Sequence, residues 1–226
     1  MRAVVRFIAS VLATSGTLLI ADATVTLAWQ EPVSAWLAGR EQQTLQSELG
    51  ALERRWTRPA KPAARRLSTT AVAAGFRRAA RTGQALGEID LPTLDRSYVV
   101  THGTDRGTLR KGPAHYPETP MPGQGGTVAV AGHRTTYLAP FRTIDDLARG
   151  DRIVLRMPYG RFTYRVEGTR IVAPTARWVI RRIGYERLVL TACHPLYSAA
   201  QRIVVFARLV ESAPPSREAA AARSPG

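Results

Sequence analysis

Residues 187–210 read Arg187-Leu-Val-Leu-Thr-Ala-Cys193-His-Pro-Leu-Tyr-Ser-Ala-Ala-Gln201-Arg202-Ile-Val-Val-Phe-Ala-Arg208-Leu-Val210. Two short aliphatic, β-branched runs flank a segment carrying Pro195 and Ser198, which is the pattern of two strands joined by a loop. Successive strand side chains alternate, so Arg187, Val189, Thr191 and Cys193 share one face. The first strand ends on Cys193 and the second opens on Gln201 and Arg202. A strand end suits a nucleophile, because the rigid sheet aims it and the adjoining loop leaves it accessible. Cys193 is the one cysteine of 226 residues, so no intramolecular disulfide frames the fold. From the count alone, an inert packed thiol and a reactive one both stay open.

The same texture begins at about residue 85. Short β-branched segments at 87–90, 98–102, 126–132, 152–157 and 161–172 join 187–193 and 201–210 as predicted strands, with Gly, Pro and Asp between them. Tyr159-Gly160 reads as a hairpin turn, and residues 141–147, ahead of Gly150, as one short helix. Such spacing points to an all-β barrel or sandwich.

The N-terminal half reads differently. After Arg2 and Arg6, residues 7–29 form an apolar run long enough for a bilayer, which needs roughly 20 helical residues. The arginines place its start in the cytoplasm. A cleaved signal peptide, cut after Ala21-Asp22-Ala23, is the competing reading. The division predicted along the chain is a cytoplasmic start and transmembrane anchor (1–29), a stalk helix (30–56), a basic linker (57–84), a catalytic barrel (85–211) and a disordered tail (212–226). The chain holds 32 basic and 17 acidic residues, a formal charge of +15. That balance suits an anionic partner such as a membrane surface, cell-wall polymer or nucleic acid, without choosing among them.

Most catalytic signatures are absent. There is no Gly-x-Ser-x-Gly elbow, Walker loop, His-Glu-x-x-His or Cys-x-x-Cys. The four histidines (His102, His115, His133 and His194) lie in separate segments, which gives no metal-ligand cluster and no reason to expect a cofactor. Cys/His chemistry remains. His133 ends the strand at 126–132 as Cys193 ends its own. His194, next to Cys193, points to the opposite face and is poorly placed for proton transfer to its neighbour. Arg202 opens the last strand, where a guanidinium can meet the charge that develops on a carbonyl oxygen during acyl transfer. Asp145 and Asp146, the one adjacent acidic pair of the barrel region, read as solvated helix charge.

On these residues the chain resembles the sortases, in particular the class E housekeeping sortases of high-GC Gram-positive bacteria. Thr191-Ala-Cys-His-Pro-Leu-Tyr-Ser-Ala-Ala-Gln-Arg202 is similar to the family's active-site segment, in which a Thr-Leu-x-Thr-Cys strand is followed nine residues later by an Arg. Gly126-Thr-Val-Ala-Val-Ala-Gly-His-Arg-Thr-Thr-Tyr137 resembles the catalytic-His segment, and Gly112 to Gly123 the loop before it. Two positions depart from the pattern. Val189 stands for its first Thr, and Ala192 for the Thr before the Cys, a residue thought to line the substrate site.

The resemblance implies an eight-stranded β-barrel with short helices behind a transmembrane helix and a stalk helix. It implies a catalytic set of Cys193, His133 and Arg202, with Thr191, Ala192, His194 and Tyr137 expected on the substrate. The implied reaction is cleavage of a C-terminal sorting signal, Leu-Pro-x-Thr-Gly or Leu-Ala-x-Thr-Gly, between Thr and Gly. The acyl group then passes to an amine of a peptidoglycan precursor or a pilin. The implied partners are such signal-bearing proteins, with the catalytic domain outside a single-pass membrane anchor and no nucleic acid, cofactor or metal involved. Two alternatives stand beside it: another extracytoplasmic Cys-His peptidase or transpeptidase, and a non-enzymatic basic wall-binding protein.

Overall fold

The computed structural model describes residues 2–28, 32–57 and 68–215. Part of the predicted linker (58–67) and most of the predicted tail (216–226) therefore lie outside the described residues. Three helices come first: α1 (Arg2–Ala28), α2 (Pro32–Thr57) and α3 (Thr69–Ala79). The strands are β1 (Ala85–Leu91), β2 (Arg96–His102), β3 (Ala114–His115), β4 (Thr127–Ala131), β5 (Arg152–Met157), β6 (Gly160–Val172), β7 (Arg187–His194) and β8 (Gln201–Ala213). Helix α4 (Arg106–Lys111) lies between β2 and β3. The eight strands close into a barrel in the order β1-β2-β3-β4-β7-β8-β6-β5. All pairs are antiparallel except β2–β3 and β4–β7. Closure removes the free sheet edges that would otherwise invite aggregation.

Strand alternation sorts the apolar residues into two layers. Leu188, Leu190 and Ala192 of β7 and Ile203, Val205 and Ala207 of β8 face the interior, packed with Phe141, Phe162 and Tyr164. The intervening residues Val189, Val204 and Phe206, with Ala129 of β4, form an outer cluster. That cluster is covered by Val179 of a 3-10 turn, Arg177–Ile180.

The α-helical parts depart from expectation. α2 is docked on the barrel, not a free stalk: Leu45 and Leu49 are buried with Ala85 and Val99. The Gln42 side chain accepts from Val99 N at 2.8 Å and donates to the Val99 and Lys111 carbonyls at 3.2 and 2.7 Å. The predicted linker contains α3, capped by Ser68, whose hydroxyl accepts from Ala71 N. α3 buries Ala73 and Phe76 in the main core, so this segment is part of the barrel unit. α1 is exposed along nearly all of residues 2–24 and is the one described helix long and apolar enough to cross a membrane.

Smaller corrections have local causes. The predicted 141–147 helix shrinks to a 3-10 turn, Ile144–Asp146. Phe141 N donates to His133 O and the Arg142 carbonyl is taken by Arg134, so the backbone groups a helix needs are engaged elsewhere. The β5–β6 turn is Pro158-Tyr159, since Met157 and Gly160 are paired. β3 is two residues long, too short to register as a period. α4 starts at a cap, Asp105 accepting from Thr108 N.

Candidate active site

Three strand ends meet at one rim of the barrel. β7 and β8 are antiparallel with Cys193 and Arg202 as direct Cα partners, so the two side chains stand side by side on one face. β4 runs parallel to β7, with Ala131 opposite Thr191. Gly132 N donates to Thr191 O at 3.0 Å, which carries the pairing one residue beyond the strand. Continued by one more residue, that register brings His133 level with Cys193. The parity agrees: Ala129 and Val189 lie in the outer cluster, and His133 and Cys193 follow each at even spacing. Gly132 is required for the Phe141 ring to pack against this strand end, because a Cβ there would meet Phe141 Cδ2 at 2.5 Å.

The electrostatics fit Cys/His chemistry. His133 is held below the ordinary imidazole value, first by burial and then by the positive charge of Arg110, so its ring is neutral at neutral pH. Tyr137 lies 5.2 Å from the His133 ring and carries Arg110 over its own ring at 5.6 Å. Tyr137, Leu138 and Ala139 are three consecutive non-glycine residues with φ between 41° and 66°, a left-handed run that costs energy at each residue. Ser34 of α2 reaches this loop, its hydroxyl accepting from Tyr137 N at 3.4 Å. Cys193 is partly exposed. Arg202 Nη1 donates to the Ala199 and Gln201 carbonyls at 3.0 and 2.9 Å, which fixes the guanidinium at the strand end.

A 390 Å³ cleft runs from this rim down the outer face. Tyr116, Thr191, Arg202, Val204, Pro174 and Ile180 help to line it. Thr191 holds its wall through a 2.9 Å hydrogen bond to the Tyr116 hydroxyl.

The expected substrate-contacting residues divide accordingly. Thr191 lies in the cleft and Tyr137 against His133. Ala192 does not line the cleft: it points inward and is 4% exposed, because strand parity sets it opposite Cys193. His194 shares that inner parity and accepts at Nδ1 from Arg134 Nη1 at 3.2 Å. Arg134 was missed in the sequence, although it directly follows His133. Its guanidinium is buried and also bonds the Arg142 carbonyl and Asp145, the latter at 2.8 Å. It therefore clamps the His133 loop to the end of β7. Asp145 is exposed, as expected of a solvated charge, and is in addition the ion-pair partner of Arg134.

The sortase domain model matches residues 89–210, which contain all three strand ends. The chain belongs to the sortase domain family. Among relatives, sortase D of Bacillus subtilis is 33% identical over 133 residues, covering 57% of this chain and 66% of that protein. Sortase SrtE1 of Streptomyces coelicolor is 29% identical over 155 residues, covering 60% of this chain and 43% of its own length. This sortase therefore matches just under two thirds of the first relative and under half of the second. Among solved structures, sortase E from Streptomyces avermitilis superposes with a TM-score of 0.55 at 34% identity, over 64% of this chain and 97% of that one. Sortase E1 from S. coelicolor, solved with a tripeptide in its active site, gives 0.57 at 27% identity, over 65% and 98%.

Proposed function

We infer that this sortase is an extracytoplasmic cysteine transpeptidase that cuts a C-terminal sorting signal of the Leu-Pro-x-Thr-Gly or Leu-Ala-x-Thr-Gly type between Thr and Gly. The Cys193 thiol gives its proton to His133 and its sulfur attacks the Thr carbonyl carbon. The carbonyl oxygen takes up negative charge beside the Arg202 guanidinium. As the C–N bond breaks, His133 returns the proton to the leaving Gly amine, leaving a thioester on Cys193. An incoming amine, from a peptidoglycan precursor or a pilin lysine, then gives up a proton, displaces the thiol and forms a new amide. The signal residues before Thr lie in the cleft beside Thr191 and Tyr116. α1 anchors the chain in the membrane, with Arg2 and Arg6 on the cytoplasmic side.

The observation that carries this reading is the direct pairing of Cys193 with Arg202; the parallel β4–β7 pairing, whose last partners are Ala131 and Thr191, supports His133 as their neighbour two residues further on. The full chain, incubated with a signal peptide, is expected to gain the mass of the acyl fragment on Cys193 and to lose it when a nucleophilic amine is added. An adduct elsewhere, or cleavage that persists in Cys193→Ala, defeats the reading.

A further inference from the structure

On the outer wall beyond the catalytic cleft, four arginines stand in register across four adjacent strands. Arg152 of β5 is the Cα partner of Arg165 of β6, which pairs with Arg208 of β8, which pairs with Arg187 of β7. Direct partners share a face, and strands lie about 4.8 Å apart, so the row extends roughly 14 Å. Like charges placed opposite one another destabilise a sheet. Among the described residues one of the four forms an ion pair at hydrogen-bond distance, Arg208 Nε donating to Glu167 at 2.8 Å; Arg187 feels the same carboxylate at longer range and donates Nη2 to the Val179 carbonyl at 2.8 Å, and Arg165 Nη1 donates to the Gly150 carbonyl at 2.8 Å. The other oxygen of Glu167 is taken by the Tyr185 hydroxyl.

The row ends in a 290 Å³ cleft lined by two arginines, Arg170 and Arg187, one acid, Glu167, and the rings of Trp178 and Phe206. Its wall is a stack. The Arg187 guanidinium lies 4.8 Å from Phe206, Phe206 stacks on Trp178 at 6.1 Å, and Arg170 sits 6.0 Å from the Trp178 ring. Trp178 is 42% exposed. Arg187 Nε is buried without an acceptor among the described residues. The 3-10 turn Arg177–Ile180 separates this cleft from the catalytic one: Trp178 lines the first, Val179 and Ile180 the second.

We propose that this row and cleft bind a linear wall polymer carrying repeated phosphodiesters, its phosphates on the arginines and its polyol or sugar units against Trp178. An exposed aromatic ring beside four in-register arginines and Arg170, with Glu167 the one acid lining the cleft, suits a chain in which phosphates alternate with units that present C–H faces to a ring. A bilayer fits less well, since a concave cleft behind a turn does not meet a flat surface. The catalytic barrel is thereby held to the polymer that surrounds its acceptor, with the sorting signal on the other side of the 3-10 turn. The choice of a wall polymer rests on the extracytoplasmic placement inferred above; the binding itself does not depend on turnover.

The test uses the full chain in nanodiscs of zwitterionic lipid, titrated with a synthetic poly(glycerol phosphate) at several salt concentrations. Arg165→Gln/Arg170→Gln is compared with the charge-matched Arg81→Gln/Arg106→Gln; all four arginines are exposed. The row variant is expected to lose about ten-fold or more in affinity. Its slope of log Kd against log salt is expected to fall by roughly 0.7 for each phosphate that is no longer neutralised. The control pair is expected to change affinity less than about two-fold, and signal-peptide cleavage to stay at the wild-type rate in both. Equal losses in the two variants, or no binding by the wild type, overturn the proposal. Phosphatidylglycerol vesicles that bind tighter than the polymer through the same two arginines overturn it in favour of a lipid surface. A chain that binds polymer through the row yet forms no acyl adduct removes the transpeptidase reading and leaves this one standing.

Discussion

At the residue scale the decisive question is what each member of the rim contributes. Cys193→Ala is expected to abolish turnover while leaving the melting temperature within a few degrees of wild type, because the thiol is partly exposed and fills no core space. Residual cleavage near the wild-type rate would mean that another nucleophile operates. Arg202→Lys keeps the charge but loses the planar fork, and removal of one oxyanion donor typically costs about 10²–10³ in rate. Arg208→Lys is the matched control. It breaks the interactions of Arg208 with Glu167 and Tyr185, far along β8 from Cys193, and is expected to change the rate of signal cleavage less than about three-fold. Steady-state kcat/KM for the two variants separates the roles, and equal losses would move oxyanion stabilisation away from Arg202.

At the scale of elements, the site depends on how β4 leaves the sheet. Gly132→Ala drives a methyl against the Phe141 ring, and overpacking of this kind costs about 1–3 kcal/mol. Phe141 N is bonded to His133 O, so the same shift displaces His133, and the activity loss is expected to exceed the stability loss. Denaturant melts and kcat/KM on one sample compare the two. α2 is tested by Gln42→Ala, which strips Val99 N of its acceptor; leaving a buried amide unpaired costs about 1–3 kcal/mol, read as a lower melting midpoint. These elements also mark what the sequence made legible. Strand identity, the two faces of β7 and the Cys193, His133 and Arg202 positions follow from alternation and from motifs along the chain. Docking of α2 and α3 does not, because nothing along the chain shows what covers Leu45, Leu49, Ala73 and Phe76 until the barrel surface exists. Ala192 shows the other limit: a motif names the position, but strand parity turns its methyl inward. Arg134 and Asp145, eleven residues apart, meet only once the loop between them folds.

At the scale of the whole molecule, stability is tied to pH through the buried histidine pair. His115 Nδ1 lies 3.4 Å from His102 Nδ1, and its Nε2 faces the Pro120 carbonyl at 3.1 Å. Burial, opposed by the Pro120 carbonyl and reinforced by His102 and Arg77, lowers His115 to about 4. The unfolded chain therefore binds this proton first, at about 6.5. The contribution is complete above that value and is lost as pH falls through about 4, on the order of 3 kcal/mol in all. Denaturant melts at pH 7 and pH 5 are expected to show the loss, and His115→Gln to flatten it; a pH-independent midpoint in wild type would refute the linkage. Calcium is expected to leave transpeptidation unchanged, as is a chelator, since one Asp145 oxygen is already held by Arg134. Several-fold stimulation by millimolar calcium, lost in Asp145→Asn, would reverse that view. The docking of α2 has a last consequence, in distance and local concentration. Between the end of α1 at Ala28 and the start of α2 at Pro32 the chain has three residues, about 10 Å when fully extended. Were α1 inserted in a bilayer, the docking of α2 would leave three residues, and not the whole stretch of chain before the barrel, between the membrane helix and the barrel unit. A substrate held in the same membrane would then meet the barrel at an effective concentration set by that short span, on the order of millimolar, and not by the volume outside.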